Sequence, residues 1–171
     1  FPPGTSDEPL TVAQNLPDID GMVIVTTPQD VALLDSRKSI TFANSLKVDV
    51  IGVIENMSGY TVRGKAPAGT ELELAAPGGK TIKVTADENG DWGGTLDIFK
   101  AGGGEKTAEE FNVPFLGKLP FDPGFVRGGD DGVHRIVSEP EGPSAMAFNN
   151  VVAHIQSKVE SGSTYSGLEI I

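Results

Sequence analysis

Gly21-Met22-Val23-Ile24-Val25-Thr26-Thr27, closed by Pro28-Gln29-Asp30, is a nearly unbroken run of apolar and β-branched residues. It does not alternate between apolar and polar, so it reads as a strand buried on both faces. Asp30 is a good helix cap. Beyond it, Val31, Leu34, Phe42, Ala43 and Leu46 fall on the apolar side of a helix from Val31 to about Leu46. A second run, Val48-Asp49-Val50-Ile51-Gly52-Val53-Ile54, follows directly. Strand, helix and strand joined by short links form a βαβ unit, which implies parallel pairing and a right-handed crossover.

Upstream, Pro2-Pro3-Gly4-Thr5 reads as a turn, since it cannot easily continue a strand or helix. Ser6 or Asp7 can cap a helix with Glu8 and Pro9 in its first turn, ending near Asn15 ahead of Pro17. Downstream, the texture changes between Tyr60 and Leu96. Glu71-Leu72-Glu73-Leu74 and Thr81-Ile82-Lys83-Val84-Thr85 alternate with period two, and Pro77-Gly78-Gly79 and Asn89-Gly90 supply turns. This is antiparallel β sequence with one wet face.

The α/β pattern resumes at Asp97. Glu105 to Phe111 reads as a short helix, Phe115-Leu116-Gly117-Lys118-Leu119 as a third buried strand ended by Pro120, and Gly128-Gly129-Asp130-Asp131-Gly132 as a flexible loop. A last helix runs from Ser144 to about Val159, with Ala145, Phe148, Val151, Val152, Ile155 and Val159 as its stripe. The predicted fold class is therefore α/β, a mostly parallel sheet with flanking helices plus a small antiparallel β insert. Residues 1–59 and 97–160 form the α/β part, 60–96 the insert, and 161–171 a flexible tail.

A chain of 171 residues suits one domain carrying a small insert. The formal net charge of −11 disfavours nucleic acid and anionic lipid as partners, because phosphate contacts need Lys and Arg. No run of 18 apolar residues exists, so no membrane span is expected. Phe1-Pro2-Pro3-Gly4 has neither Met nor the basic and apolar regions of a signal peptide, and the chain reads as part of a longer protein or as a processed product. The absence of cysteine removes disulfides, thiolate catalysis and Cys-ligated clusters.

In an open parallel sheet, ligands bind beyond the carboxyl ends of the strands. Three such ends are marked here: Thr26-Thr27-Pro28-Gln29-Asp30, Glu55-Asn56-Met57-Ser58-Gly59, and Leu119-Pro120-Phe121-Asp122-Pro123. Parallel strands would bring all three to one edge. His134 and His154 have no motif around them, Asp87 to Asp91 lacks the spacing of an EF-hand calcium loop, and Trp92 is expected to pack the insert.

Five ordered motifs carry a resemblance. They are Pro2-Pro3-Gly4-Thr5-Ser6-Asp7-Glu8-Pro9-Leu10-Thr11-Val12-Ala13-Gln14, Val25-Thr26-Thr27-Pro28-Gln29-Asp30-Val31-Ala32-Leu33-Leu34-Asp35, Gly52-Val53-Ile54-Glu55-Asn56-Met57-Ser58-Gly59, Gly102-Gly103-Gly104-Glu105-Lys106, and Val113-Pro114-Phe115-Leu116-Gly117-Lys118-Leu119-Pro120-Phe121-Asp122-Pro123. Together they resemble the C-terminal part of Mrp-type, MinD/ParA-like P-loop ATPases that carry iron–sulfur clusters. The resemblance implies a partial P-loop NTPase fold, ATP with Mg²⁺ as cofactor, a homodimer in the intact protein, an iron–sulfur apo-protein or other protein as partner, and a cytoplasmic setting. It implies that the Gly4 backbone N–H, with Thr5 beside it, faces the γ-phosphate. It further implies that Asn56 reads adenine and that Pro120, Phe121 and Asp122 flank the base. An amide such as that of Asn56 donates and accepts at once, as an adenine edge requires.

Three departures qualify the activity. The phosphate loop G-x-x-x-x-G-K-[ST] is absent, and in Gly102-Gly103-Gly104-Glu105-Lys106-Thr107 the spacing fails because Glu105 separates Gly104 from Lys106. The acidic residue that the family carries before its Pro-Pro-Gly turn would fall upstream of Phe1. The Cys-x-x-Cys pair that bridges a [4Fe–4S] cluster between two chains of the family is replaced by the β insert, so no such cluster is expected on this chain. The resulting expectation is the base and switch side of an iron–sulfur carrier ATPase, inactive alone. The alternatives are a non-catalytic α/β protein-binding module using the β insert, or a MinD/ParA-like positioning ATPase.

Overall fold

A computed structural model describes residues 7–16 and 19–161. The expected Pro2–Thr5 turn, Ser6 as a cap, and the tail from residue 162 onward lie outside them. The elements are α1 (Asp7–Asn15), β1 (Met22–Thr26), α2 (Asp30–Ser45), β2 (Val50–Glu55), β3 (Tyr60–Lys65), β4 (Glu71–Ala75), β5 (Thr81–Thr85), β6 (Asp91–Leu96), α3 (Gly103–Phe111), β7 (Phe115–Lys118), α4 (Gly124–Asp131), α5 (Arg135–Ser138) and α6 (Pro143–Glu160).

The three buried runs form one sheet in the order β1-β2-β7. Both pairings are parallel, with Thr26 beside Glu55 and Glu55 beside Lys118. The strand ends therefore share one edge, as expected from the βαβ reading. On one face, Ile24, Val50 and Val53 pack against Ile40 and Ala43 of α2 and Ala108 of α3. On the other, Ile51, Ile54, Leu116 and Leu119 meet Val151 of α6. Ile40, Val53 and Leu116 are among the largest fully buried side chains. Each contributes about 1.5–3 kcal/mol from its removal from water.

Several expectations need correction. β2 is buried throughout, but β1 is an edge strand and Val25 is 59% exposed. Apolarity alone does not distinguish a central strand from one at the edge of the described sheet. The α2 stripe is displaced in its first half only, since Ala43 is buried as expected and Phe42 and Leu46 are half-buried. Leu33, Ser36, Ile40 and Ala43 are buried while Val31 and Leu34 are exposed, because the 3-4-3 spacing of the first set fits the sheet. Asp30 is the first helical residue rather than the cap, which is Gln29, and it pairs with Lys100. On α6, Val152 and Val159 lie on the outer side of the stripe. The Gly128–Asp131 stretch is the end of α4, closed by Gly132 in the left-handed region and by a bond from Val133 N–H to the Gly128 carbonyl at 2.7 Å. Glycine-rich composition hid a helix that is set by its C-cap.

Within 60–96, β3 pairs with β6 and β4 with β5, both antiparallel. Leu74, Ile82 and Val84 close over Gly94, where a Cβ would approach them at 2.8–3.2 Å. Trp92 lies over Gly64, where a Cβ would come within 2.4 Å of the indole. Trp92 therefore packs the insert. Asp87 Oδ1 accepts the N–H groups of Asn89 and Asp91 at 2.8 and 2.9 Å, so that carboxylate closes a turn.

Candidate functional site

The centre of the carboxyl edge is Glu55, whose side chain is fully buried at the end of β2. A charged group there requires donors. Oε2 accepts the Gly104 N–H at 2.7 Å, and Oε1 accepts the Gly102 N–H at 3.1 Å and the Ser58 hydroxyl at 2.5 Å. The N-terminus of α3 thus already holds an anion, a carboxylate supplied by the chain itself. Gly104 permits the approach, because a Cβ would stand 2.9 Å from the Glu55 Cβ and 3.3 Å from Thr26 Cγ2. The triple-glycine stretch leads into α3, which starts at Gly103 rather than at the expected Glu105, and Glu55 engages the Gly102 and Gly104 amides.

Asn56 follows on the same turn. Its N–H donates to the Thr26 carbonyl at 2.7 Å, and its Oδ1 accepts the Met57 N–H at 2.9 Å. Ser58 N–H donates to Leu119 O at 2.9 Å. The turn is thereby fixed to the ends of both neighbouring strands. With Oδ1 engaged, the Asn56 NH₂ remains to donate. Asn56 lines a recess with Thr26, Thr27, Asp35 and Ser36.

Pro120, Phe121 and Asp122 line a separate recess, with Tyr60, Thr61, Arg63, Arg135 and Glu139. Phe121 meets the rings of Tyr60 and Phe99 edge-on at 6.0 and 6.3 Å. Asp122 accepts from Gly124 N–H at 2.8 Å, Ser144 Oγ at 2.7 Å and Arg135 Nε at 3.1 Å. Burial alone would raise its pKa. The Ser144 and Gly124 hydrogen bonds and the Arg135 guanidinium outweigh that and hold the carboxyl below the usual carboxylate range. Asp122 therefore ties the end of β7 to α4, α5 and α6.

Among the described residues, Asn56 lines one recess with Thr26 and Thr27, and Phe121 and Asp122 line another. Gly4 and Thr5 lie outside the described residues. Sequence reasoning missed Glu55, although a carboxylate ending an apolar strand run was the available signal; Arg135 and Ser144 carried none.

Other charges on this edge are surface pairs. Glu105 hydrogen-bonds Lys118 at 2.8 Å and raises its pKa, and Lys100 lowers that of Asp30. His154 Nδ1–H donates to the Leu116 carbonyl at 2.8 Å, which fixes the tautomer and attaches α6 to β7. A [4Fe–4S] cluster does not fit this donor set. The chain has no thiolate, and the carboxylates at this edge, Glu55 and Asp122, have their oxygens committed to internal donors.

A sequence profile of the ParA group, described as NUBPL iron-transfer P-loop NTPase, matches residues 1–74 and 85–156. The chain is 38% identical over 159 residues to an iron–sulfur cluster carrier protein of Methanocaldococcus jannaschii, covering 93% of this chain and 45% of that protein. It is 39% identical over 159 residues to one of Synechocystis sp., covering 93% and 37%. The chain thus spans about half the length, or less, of these curated relatives. Among solved structures, the cell division ATPase MinD of Pyrococcus furiosus superposes with a TM-score of 0.55 at 17% identity, covering 91% of this chain and 49% of that one, a likeness of fold alone. A nucleotide-binding protein from Archaeoglobus fulgidus, solved in complex with ADP, gives 0.51 at 28% identity, covering 86% and 48%.

Proposed function

The chain belongs to the ParA-group, NUBPL-type iron-transfer P-loop NTPase family, and on that premise we propose that it forms the adenine-reading and switch side of the nucleotide site of an iron–sulfur carrier ATPase. Asn56 reads the base by donating from its free NH₂ and accepting on the second lone pair of Oδ1, the first being held by the Met57 N–H, and Gly4 and Thr5 face the terminal phosphate of Mg²⁺-bound ATP. The observation that carries this reading is the Asn56 turn, pinned to Thr26 and Leu119 at the carboxyl edge of a parallel sheet. The relative solved with ADP supports it.

Two further parts of the proposal concern activity. The chain alone hydrolyses no ATP, because its 171 residues contain no phosphate loop and the donors at the start of α3 are taken by Glu55. It also holds no cluster, for want of thiolates. We place the intact protein in the cytoplasm as a homodimer that serves an iron–sulfur apo-protein. A second reading, a protein-binding module using the β insert, is favoured by the recess that the insert forms with Phe121 and Arg135.

The test is a titration of the purified chain with a fluorescent adenine nucleotide, with phosphate release measured alongside. Displacement by ATP but not GTP, weakened about tenfold in Asn56→Ala, is expected from the loss of one buried hydrogen-bond partner. Equal displacement by GTP, or an unchanged Asn56→Ala, overturns the base-reading role. Saturable ATP turnover overturns the claim of inactivity.

A further inference from the structure

β3 pairs with β6 on one side only. Val62 stands opposite Gly94 and Gly64 opposite Trp92, and the Ala66 N–H donates to Gly90 O at 2.9 Å. In an antiparallel ladder the hydrogen-bonded residues alternate. The even-numbered residues of β3 therefore turn their backbone groups to β6, and Arg63 and Lys65 turn theirs to the other edge. That edge already carries one rung, since Phe121 N–H donates to Gly59 O at 2.8 Å and Tyr60 bridges Phe121 in parallel. The chain then leaves at Asp122 for α4, and among the described residues no strand pairs with the edge beyond the rung.

The recess beside this edge has side-chain character of its own. Pro120, Phe121 and Pro143 give it an apolar lining. Its carboxylates are committed, Asp122 to three donors and Glu139 to Arg135. Arg63 lines the recess and enters none of the ion pairs or side-chain hydrogen bonds found among the described residues. The recess thus presents backbone donors and acceptors, an apolar lining and one uncompensated cation.

We propose that this groove docks one extended peptide segment of a partner protein, added as a strand to the free edge of β3 with an acidic side chain opposite Arg63. Strand addition supplies affinity through backbone hydrogen bonds, and the charge opposite Arg63 supplies selectivity. The proposal stands on the insert and its contact with Phe121, and is independent of the nucleotide reading.

The probe is an acetylated, amidated octapeptide alternating valine and threonine with one central glutamate. Its controls carry lysine, or proline, at that centre. The readouts are the emission of Trp92, the sole tryptophan, and hydrogen–deuterium exchange across β3. The glutamate peptide is expected to bind saturably and to slow exchange at the Arg63 and Lys65 amides. The lysine peptide should bind roughly tenfold more weakly and the proline peptide not measurably. Arg63→Glu, at an exposed position that leaves the fold intact by circular dichroism, should reverse the glutamate–lysine preference. Equal binding of the glutamate and lysine peptides overturns the proposal, as does protection confined to β1. Protection of 63 and 65 that grows with protein concentration and needs no peptide assigns the edge to a second copy and overturns it as well.

Discussion

The Glu55 carboxylate accepts the backbone N–H of Gly104 at 2.7 Å, across 49 positions of sequence. Between the two lies the whole β insert. This contact, with its partners at Gly102 and Ser58, returns the chain to the α/β sheet in register after the insert. It also occupies the helix end that the glycine run would otherwise offer to an external anion.

Glu55→Gln is therefore expected to destabilise the protein by about 2–3 kcal/mol, because a carboxamide NH₂ replaces one oxygen and faces a donor. The replacement is nearly isosteric, so the loss is electrostatic rather than a matter of packing. Urea unfolding at neutral pH measures it. A midpoint within error of the wild type would mean that the three donors do not depend on the charge.

Asp122→Asn tests the second node through pH. The native carboxyl titrates below its unfolded value of about 3.9. A depressed carboxyl contributes stability that is fully present above the unfolded value and is lost as pH falls through the folded one. The variant should be less stable than the wild type by about 1–2 kcal/mol at pH 7. The gap should persist at pH 5 and narrow as pH falls below the unfolded value. Denaturation curves at pH 7, 5 and 2 read this directly, and a gap that stays constant at pH 2 would remove the linkage.

The legibility of these features follows their range in sequence. The parallel sheet and its shared carboxyl edge were readable from the runs at 21–27, 48–54 and 115–119, which contain most of β1, β2 and β7, since each strand declares itself locally. The direction in which α2 turns its stripe was not, because Leu33 and Leu34 are equally apolar and only the packed sheet selects Leu33. Asp122 was singled out for its loop, but its hydrogen bonds to Arg135 and Ser144 join separate elements and leave no local pattern. The Asn56 turn follows β2 where the sequence put it, whereas the contacts of Phe121 with Tyr60, the first residue of the insert, and with Phe99, just past its end, join positions far apart in sequence.

Val25→Lys probes the open edge of β1. Val25 is 59% exposed, and β1 carries no charge or proline that would discourage pairing with another strand. The substitution should change stability by less than about 0.5 kcal/mol and lower self-association. Light scattering across a concentration series, with unfolding curves as a control, checks both. A large loss of stability would show that Val25 is covered in solution.

Gly64→Ala probes whether the insert is held by its own small core. A methyl at that position would stand 2.4 Å from the Trp92 ring, on the strand pair that brings Gly64 opposite Trp92. The indole cannot retreat freely, because its strand neighbour Gly94 is already closed over by Leu74, Ile82 and Val84. The clash should therefore displace the ring and loosen the insert, at about 1–3 kcal/mol, the range for overpacking a filled core. The effect should be local. Trp92 emission should shift to the red, and amides in β3 and β6 should exchange faster, while those of β2 beneath α3 and α6 keep their protection. Hydrogen exchange with site resolution separates the two regions. Equal loss of protection in β2 would mean that the insert and the sheet unfold as one unit, with Phe121 and Glu55 transmitting the damage between them.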